Sequence, residues 1–262
     1  ILNWLIDDNT SLSQTARAYV AARFQQNPEW LEAAHVQYIE DWSEKAWTTF
    51  CLSIPFGRAL FEFLERFNES IKRAFWENVT RYYLSEEDKA YANWVIEQLL
   101  KYKRPLTAIN AAANFLHTIG KGARLDGDVL ARVLEQAVKA PENHKTLPIH
   151  SMDYDLVKVL TEIQTYPEID ETRLAFIEWM YLPVFHHNSD EIKPKALLKE
   201  VLGNPKFFVQ LICLMFEARP PDESEFPNLS SEQRKQQAMN ACHLLELVDQ
   251  LPGHSDLTNV DV

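Results

Sequence analysis

The chain has few of the residues on which phosphate-binding loops and tight hairpins depend. Only 6 of its 262 residues are glycine, the residue that permits positive φ angles and a close approach of the backbone to a ligand. The segment that invites a phosphate-binding interpretation, Gly120–Arg124, lacks the spacing of a phosphate loop, and no strand pattern precedes it. The sequence therefore does not indicate a nucleotide-binding fold, and an all-helical chain fits its composition best.

Cysteine and long apolar runs are also scarce. The three cysteines, Cys51, Cys213 and Cys242, are far apart and set among apolar residues, which is typical of reduced thiols in a protein core. No stretch approaches the roughly 18 consecutive apolar residues of a transmembrane helix, and no signal segment is present. We therefore expect a cytoplasmic protein that does not bind a membrane.

Positive charge is in deficit. The chain has 26 basic and 38 acidic residues, which gives a formal net charge of −12. A chain of this charge repels nucleic-acid phosphate and anionic lipid at long range, and binding to either would need a local basic patch. We therefore do not expect nucleic acid as the partner.

Apolar residues recur at helical spacing in segment after segment. Tyr91, Trp94 and Val95 continue into Leu99 and Tyr102 at steps of three and four, which is the pattern of one buried helix face. Alternation at period two is nearly absent, so the sequence predicts an all-α protein. The predicted helices cover residues 11–25, 28–38, 41–53, 57–82, 86–103, 105–119, 126–139, 152–165, 170–186, 193–202, 205–218 and 230–250.

Most of these helices are separated by short joints. Consecutive helices joined by few residues pack as antiparallel neighbours. The joint at Arg104-Pro105 is an example, because the residue before a proline is disfavoured in a helix while proline itself suits a helix start. We predict an array of antiparallel helix pairs that forms a right-handed superhelix of the α-solenoid type.

Three segments resemble parts of helical-repeat proteins. The segment RPLTAINAAANFL resembles the second helix of a hairpin of the tetratricopeptide or HEAT-like type, and LLKEVLGNPKFFVQLICLMFEAR and AFIEWMYLPVF resemble the helical C-terminal regions of large bacterial multidomain proteins. The resemblance covers about residues 86–250. It implies a helical-repeat architecture and a bacterial source, and it implies no catalytic residue.

We expect one helical domain over residues 1–262. Within it we distinguish N-terminal helices (1–85), a repeat-like array (86–250) and a tail (251–262). Because the chain begins without methionine and ends without an evident helix cap, we expect it to be a fragment of a longer polypeptide.

The segment FHHNSDE contains four potential metal ligands, His186, His187, Asp190 and Glu191. On an unbroken helix its two i, i+4 pairs would point about 100° apart, so they could not share one ion. The Asn-Ser pair inside the segment also indicates that the helix ends there. We predict no metal site and no cofactor, and we interpret His186 and His187 as part of a polar helix end that could bind a partner.

Two basic clusters stand out against the acidic background. Lys101, Lys103 and Arg104 lie at or just past the C-terminus of one predicted helix, and Lys121 and Arg124 lie just past that of the next. If the two helices are antiparallel, the clusters lie about 20 Å apart and cannot form one pocket. Cations at helix C-termini stabilise a helix by roughly 0.3–1 kcal/mol, which accounts for their placement. They are nevertheless candidate residues of a binding surface.

Aromatic residues surround most of the predicted helix 170–186. A helix that is apolar on nearly all sides is buried on nearly all sides. We therefore predict that most of its rings lie in the core, whereas the exceptions would mark a groove for a partner. These rings are Phe176, Trp179, Tyr181 and Phe185.

These observations favour a noncatalytic helical scaffold or sensor segment that mediates protein–protein interaction within a larger bacterial protein. Its partner would be another protein or another domain of the same polypeptide, and no catalytic residue is predicted. Two alternatives stay open. One is a metal-dependent hydrolase that uses the FHHNSDE segment in a compact helical bundle, and the other is a nucleic-acid binder that uses the basic helix ends.

Overall fold

The computed structural model describes residues 1–7, 9–38, 42–118, 124–139, 153–188, 191–209, 238–245 and 247. In these ranges the chain forms helices and no β-strand, which confirms the predicted all-α fold. The chain divides into two compact units, unit 1 (Ile1–Val129) and unit 2 (Leu130–Val262). Two compact units are compatible with one folding domain or with two, so the single domain expected from the sequence stays a prediction.

Unit 1 begins with a short 3-10 helix, and a second 3-10 helix leads directly into α6. The helix starts follow from local capping. The side chains of Asn9, Ser43 and Asn68 accept hydrogen bonds from N–H groups in the first turns of α1, α3 and α5, donors that the helices themselves leave unpaired. The α-helices are α1 (Thr10–Gln26), α2 (Trp30–Tyr38), α3 (Glu44–Cys51), α4 (Arg58–Leu64), α5 (Glu69–Asn78), α6 (Ala92–Lys101) and α7 (Pro105–Thr118).

Helix α8 (Gly127–Lys139) begins at the end of unit 1 and lies mainly in unit 2. Asp170 caps α10 by accepting hydrogen bonds from the N–H groups of Thr172 and Arg173. Within unit 2, α10 packs against α12 and α9 packs against α11. The further helices of unit 2 are α9 (Asp153–Ile163), α10 (Glu171–Met180), α11 (Leu182–His187) and α12 (Lys195–Gly203), with additional helical residues at 205–209, 238–245 and 247.

The predicted helix 57–82 is wrong as a single element. Helix α4 ends at Leu64, and α5 begins after Asn68, whose side chain accepts a hydrogen bond from the Ile71 N–H at 3.0 Å. In a continuous helix the Ile71 N–H would donate to a backbone carbonyl oxygen. Here it donates to the Asn68 side chain, so a new helix begins. The apolar pattern continues across the break because both helices bury apolar residues, and periodicity alone does not reveal it.

The predicted helix 170–186 is also two helices, with the break at Tyr181. Pro183 lies in the first turn of α11, where its missing N–H removes a bond that would continue α10. Of the four rings on this segment, Tyr181 and Phe185 are buried and Trp179 is half-buried, whereas Phe176 is 54% exposed and is the exception. The shortened α10 buries only part of its surface, so an apolar residue on it need not lie in the core.

The joint between α6 and α7 has the bonding pattern of a Schellman motif. The Lys103 N–H donates to the carbonyl oxygen of Leu100 at 3.0 Å. The Arg104 N–H donates to the carbonyl oxygen of Leu99 at 2.9 Å, and Lys103 has a φ of 59°. This motif closes a helix with one left-handed residue, most often glycine. Pro105 then begins α7 as predicted, and α6 and α7 pack against each other.

The cores of the two units differ in composition. In unit 1 the rings of Trp76 and Trp94 lie 5.7 Å apart and those of Trp76 and Phe75 lie 5.2 Å apart, measured between centroids. Aromatic residues at most 2% exposed in unit 1 are Trp47, Phe50, Phe61, Phe63, Phe75, Trp76 and Phe115. The residues at most 1% exposed in unit 2 include Leu130, Val133, Leu134, Val159, Leu160, Ile163, Ile177, Leu182 and Leu197. Both units bury aliphatic side chains, but unit 1 adds a large set of packed aromatic rings, whereas Phe185 is the one ring at most 2% exposed among the described residues of unit 2.

Helix packing does not always follow the order of the chain. In unit 1, α5 packs against both α3 and α6, and in unit 2, α10 packs against α12. The chain is therefore helical with many helix–helix contacts, while the regular α-solenoid stays a prediction. Across the described ranges, every helix is too short or too polar to cross a bilayer.

Candidate functional site

Unit 2 contains a groove between the end of α9, the segment before α12, and α12 itself, which we call the α9–α12 groove. Its volume is ≈ 840 Å³, within the range of roughly 300–1,000 Å³ that is typical of binding pockets. The residues that line it are Thr161, Gln164, Glu191, Ile192, Lys193, Lys195, Leu198, Lys199, Leu202 and Gly203.

A buried carboxylate, that of Glu178 in α10, joins two walls of this groove. Its Oε2 accepts a hydrogen bond from the Leu197 N–H at 2.7 Å, and its Oε1 accepts one from the Gln164 side-chain amide at 2.6 Å. The same amide of Gln164 donates to the carbonyl oxygen of Lys193 at 2.7 Å. Glu178 is 0% exposed. It therefore caps the first turn of α12 and fixes Gln164 beside that turn.

Burial raises the pKa of Glu178 from 4.5 to about 7, although the Leu197 N–H and the Gln164 amide favour the ionised form. The carboxyl thus changes its ionisation near neutral pH. Because its oxygens are enclosed by the protein, it cannot transfer a proton to a molecule in the groove. We interpret Glu178 as a residue that positions the groove walls.

One face of α12 forms the long wall of the groove. Lys195, Leu198, Lys199 and Leu202 occupy positions i, i+3, i+4 and i+7 of this helix, which place them on one face. Leu198 is buried and Leu202 is 53% exposed. The Lys199 ammonium group pairs with Glu171 of α10 at 2.6 Å. The wall therefore presents apolar side chains between lysines.

Lys193 and Lys195 give the groove its positive charge. Both are exposed, and neither ammonium group forms an ion pair with a residue that the structure describes. Lys195 is the first residue of α12, where a cation faces the positive end of the helix dipole and is unfavourable. The groove lining contains three lysines against one glutamate, in a chain whose net charge is −12.

Arg104, a predicted binding residue of unit 1, closes the end of α5. Its Nη1 donates to the carbonyl oxygens of Trp76 and Val79 at 2.6 and 2.8 Å. A helix leaves its last carbonyl groups without intrahelical partners, and a cation there also offsets the helix dipole. The position of Arg104 is therefore explained by the structure of unit 1, and a binding role for it stays a prediction.

Lys101 belongs to a polar cluster with Glu69 and Tyr102. The Oε2 of Glu69 accepts a hydrogen bond from the Tyr102 hydroxyl at 3.1 Å and lies 3.5 Å from the Lys101 ammonium nitrogen. The hydrogen bond from Tyr102 and the charge of Lys101 lower the pKa of Glu69. Lys103 is exposed at the left-handed position of the joint. The cluster joins α5 to α6, and a binding role for Lys101 and Lys103 stays a prediction.

The second basic cluster predicted from the sequence falls only partly within the structure. Arg124 is exposed in the segment that leads into α8. Lys121 lies outside the described residues. Whether the two form a binding surface stays a prediction.

The helix that contains the FHHNSDE segment ends where the sequence indicates. Helix α11 ends at His187, and Asn188 is its C-cap residue. The side chains of His186 and His187, and residue Asp190, lie outside the described part of the chain. Among the residues that are described, no three His, Cys, Asp or Glu side chains come together in a way that could hold a metal ion. The roles assigned to the two histidines stay predictions.

The cysteines within the described ranges are free. Cys51 is buried, and burial raises the pKa of its thiol, as expected of an unreactive core residue. Cys242 is half-buried, and Cys213 lies outside the described residues.

Sequence reasoning missed both Glu178 and Gln164. A signal for Glu178 was present, since it is the one charged residue in the apolar run AFIEWMYLPVF. A carboxylate on a helix that is apolar on nearly all sides has little exposed surface available and needs a buried partner. No comparable signal exists for Gln164, because its partner lies 14 residues away in another helix.

Comparison of the chain with protein families, with curated proteins and with solved structures found no match. The helical fold and the α9–α12 groove are therefore the observations that bear on function.

Proposed function

We propose that this chain is a noncatalytic helical scaffold segment of a larger cytoplasmic bacterial protein, and that it binds a protein partner through the α9–α12 groove. The partner is another protein or another domain of the same polypeptide. The helical-repeat organisation of tetratricopeptide or HEAT-like proteins belongs to the same proposal, on the strength of the resemblance over residues 86–250.

The observation that carries the proposal is the combination of apolar surface and lysines in one groove. Leu198 and Leu202 supply apolar surface on α12, and Lys193, Lys195 and Lys199 supply positive charge in the same lining. Protein–protein interfaces combine apolar and polar surface. Among the described lining residues Thr161 supplies a hydroxyl, and none is a histidine or cysteine. This composition supports binding more than nucleophilic catalysis, which needs a nucleophile beside a base.

The described contacts also weigh against the nucleic-acid alternative. The guanidinium group of Arg104 is bonded to carbonyl groups of unit 1, and Lys101 lies beside Glu69. A phosphate contact by either cation would compete with these partners. The hydrolase alternative depends on His186 and His187, and no described contact favours it.

Site-specific photo-cross-linking in an extract of the source cells tests the proposal. A benzophenone amino acid replaces Leu202 in the groove or, as a control, exposed Lys139 of α8, which does not line the groove. We expect a protein adduct from position 202 and none from position 139. No protein adduct at position 202, or equal adducts at both positions, would contradict a partner in this groove.

A further inference from the structure

We infer that the occupant of the α9–α12 groove is an acidic segment of the partner protein, with large apolar side chains between its carboxylates. This inference rests on the proposed function and adds to it the chemistry of the partner.

The charge of the groove favours an acidic partner. The ammonium groups of Lys193 and Lys195 are exposed and form no ion pair with a described residue. The chain as a whole has a net charge of −12, so an acidic segment is repelled by most of its surface and attracted at this groove. Complementary charge of this kind selects a partner and speeds its association.

The position of Lys195 at the start of α12 also favours an acidic partner. A lysine at the first position of α12 is unfavourable with respect to the helix dipole, and Glu178 offsets this end of the helix only from the buried side. A carboxylate bound on the open side of Lys195 would relieve the unfavourable interaction. The free protein thus contains a cation whose best partner is absent from its own described residues.

Charged and apolar side chains alternate along the groove face of α12. Lys195 and Lys199 lie one helical turn apart, and Leu198 and Leu202 follow at the same interval. A partner that satisfies both kinds of side chain has carboxylates and apolar groups at a matching interval. The existing pair of Lys199 with Glu171 is exposed on both sides, and exposed pairs contribute little, so an incoming carboxylate can share Lys199.

Peptide display provides the test, because it does not assume the chemistry of the partner. A random peptide library displayed on phage is selected against the full chain, and the enriched peptides are synthesised and measured by fluorescence anisotropy. We expect the enriched peptides to combine aspartate or glutamate with leucine, isoleucine or an aromatic residue. Their affinity should fall several-fold when salt is raised from about 0.05 M to about 0.5 M, because salt screens the charge pairs.

Three variants separate the inference from the proposed function. Lys193→Glu combined with Lys195→Glu reverses the charge of the groove and, at the start of α12, suits the helix dipole. Leu202→Asp removes apolar surface at an exposed position. Lys139→Glu makes one such charge reversal at an exposed position outside the groove. We expect at least about a tenfold loss of affinity for the lysine pair and for Leu202→Asp, and less than about a twofold change for Lys139→Glu.

The outcomes discriminate between the two statements. One outcome would overturn the inference and leave the groove as a protein-binding site. In that outcome the enriched peptides contain no acidic residues, and they bind the lysine variant normally but do not bind Leu202→Asp. Enriched peptides that are indifferent to all three variants, or no enrichment at all, would overturn both.

Discussion

Unit 1 and unit 2 are both helical, but they bury different chemistry. Unit 1 packs many tryptophan and phenylalanine rings against one another, whereas the described part of unit 2 has a mainly aliphatic core that also encloses Phe185 and the carboxyl group of Glu178. Aromatic pairs contribute attraction beyond the area that they bury. A buried carboxyl group instead loses its hydration and depends on its hydrogen bonds.

Each unit also contains one group that is energetically unfavourable in the folded state, and the two groups differ in kind. In unit 1 it is the backbone of Lys103, held at a φ of 59°, and in unit 2 it is the buried charge of Glu178. Each lies at a helix end, where one residue has to satisfy the geometry of two elements. The helix ends, more than the helix interiors, therefore determine what is specific to each unit.

The largest effect is expected from removal of a ring in unit 1. Trp76→Ala should lower the free energy of unfolding by about 3–5 kcal/mol, because it removes a fully buried indole and leaves a cavity. Leu134→Ala is the matched change in unit 2, at about 2–5 kcal/mol. Urea titrations followed by circular dichroism measure both. A Trp76 variant that unfolds like the parent would mean that the rings of unit 1 are not its main source of stability.

The next effect concerns Glu178 and pH. Its pKa is higher in the folded protein, about 7, than the ordinary value of 4.5. The folded state therefore binds the proton of Glu178 more tightly. The stabilising contribution of this group is fully present below about pH 4.5 and is lost as pH rises through about 7. At about 1.4 kcal/mol per pKa unit, the contribution amounts to roughly 3 kcal/mol.

Glu178→Gln tests this prediction, because the amide keeps the shape of the side chain but cannot ionise. Urea titrations at about pH 5 and about pH 8 should show that the variant has lost the decline in stability of the parent towards alkaline pH. If parent and variant decline equally, the ionisation of another group is responsible.

A smaller and opposite effect is expected at Lys103. Glycine suits a left-handed position in which a side chain is strained, so Lys103→Gly should raise the stability by about 0.5–1 kcal/mol. Lys103→Ala is the control, since it removes the ammonium group but keeps Cβ. Thermal or urea unfolding measures both variants. A gain for alanine equal to that for glycine would assign the effect to the charge and not to the backbone.

The smallest effect is expected at His35, which lies in unit 1 against the rings of Trp47, Phe63 and Phe67. Burial and, to a lesser degree, the charge of Arg66 lower the pKa of His35. The unfolded chain therefore binds the proton more tightly, and stability falls as pH drops below about 6.5.

His35→Phe, measured in the Glu178→Gln background, isolates this contribution. The urea midpoint of the double variant should depend less on pH between about 7.5 and about 5.5 than that of the Glu178→Gln protein. Identical slopes would mean that His35 ionises in the folded protein as it does in the unfolded chain. The measurements on the Glu178 and His35 variants together test whether low pH destabilises unit 1 and high pH destabilises unit 2.

Helix spans could be predicted well wherever a local residue begins or ends them. Helix α7 was predicted at 105–119 and lies at Pro105–Thr118, because proline gives the same signal in the sequence and in the fold. The break at Asn68 was missed because an asparagine is a cap only when the chain turns there. The break at Tyr181 was missed because a strong apolar pattern outweighed Pro183.

The groove could not be predicted, because its parts are polar contacts between distant residues. Lys193 and Lys195 look like ordinary surface lysines in the sequence. They line a groove only because α12 packs against α10 and the end of α9 lies beside them. Glu178 is the exception. Its charge within an apolar helix was visible in the sequence, although the turn that it caps was not.

The bond from Arg104 to the end of α5 has a consequence for local opening. Helix ends normally fray first, and their amide protons exchange with solvent long before the protein unfolds. Here carbonyl groups at the end of α5 accept hydrogen bonds from the side chain of Arg104, which belongs to the joint between α6 and α7. The end of α5 cannot open unless that joint releases Arg104. Three helices of unit 1 are therefore expected to exchange their protons as one unit, with α5 protected up to its last turn.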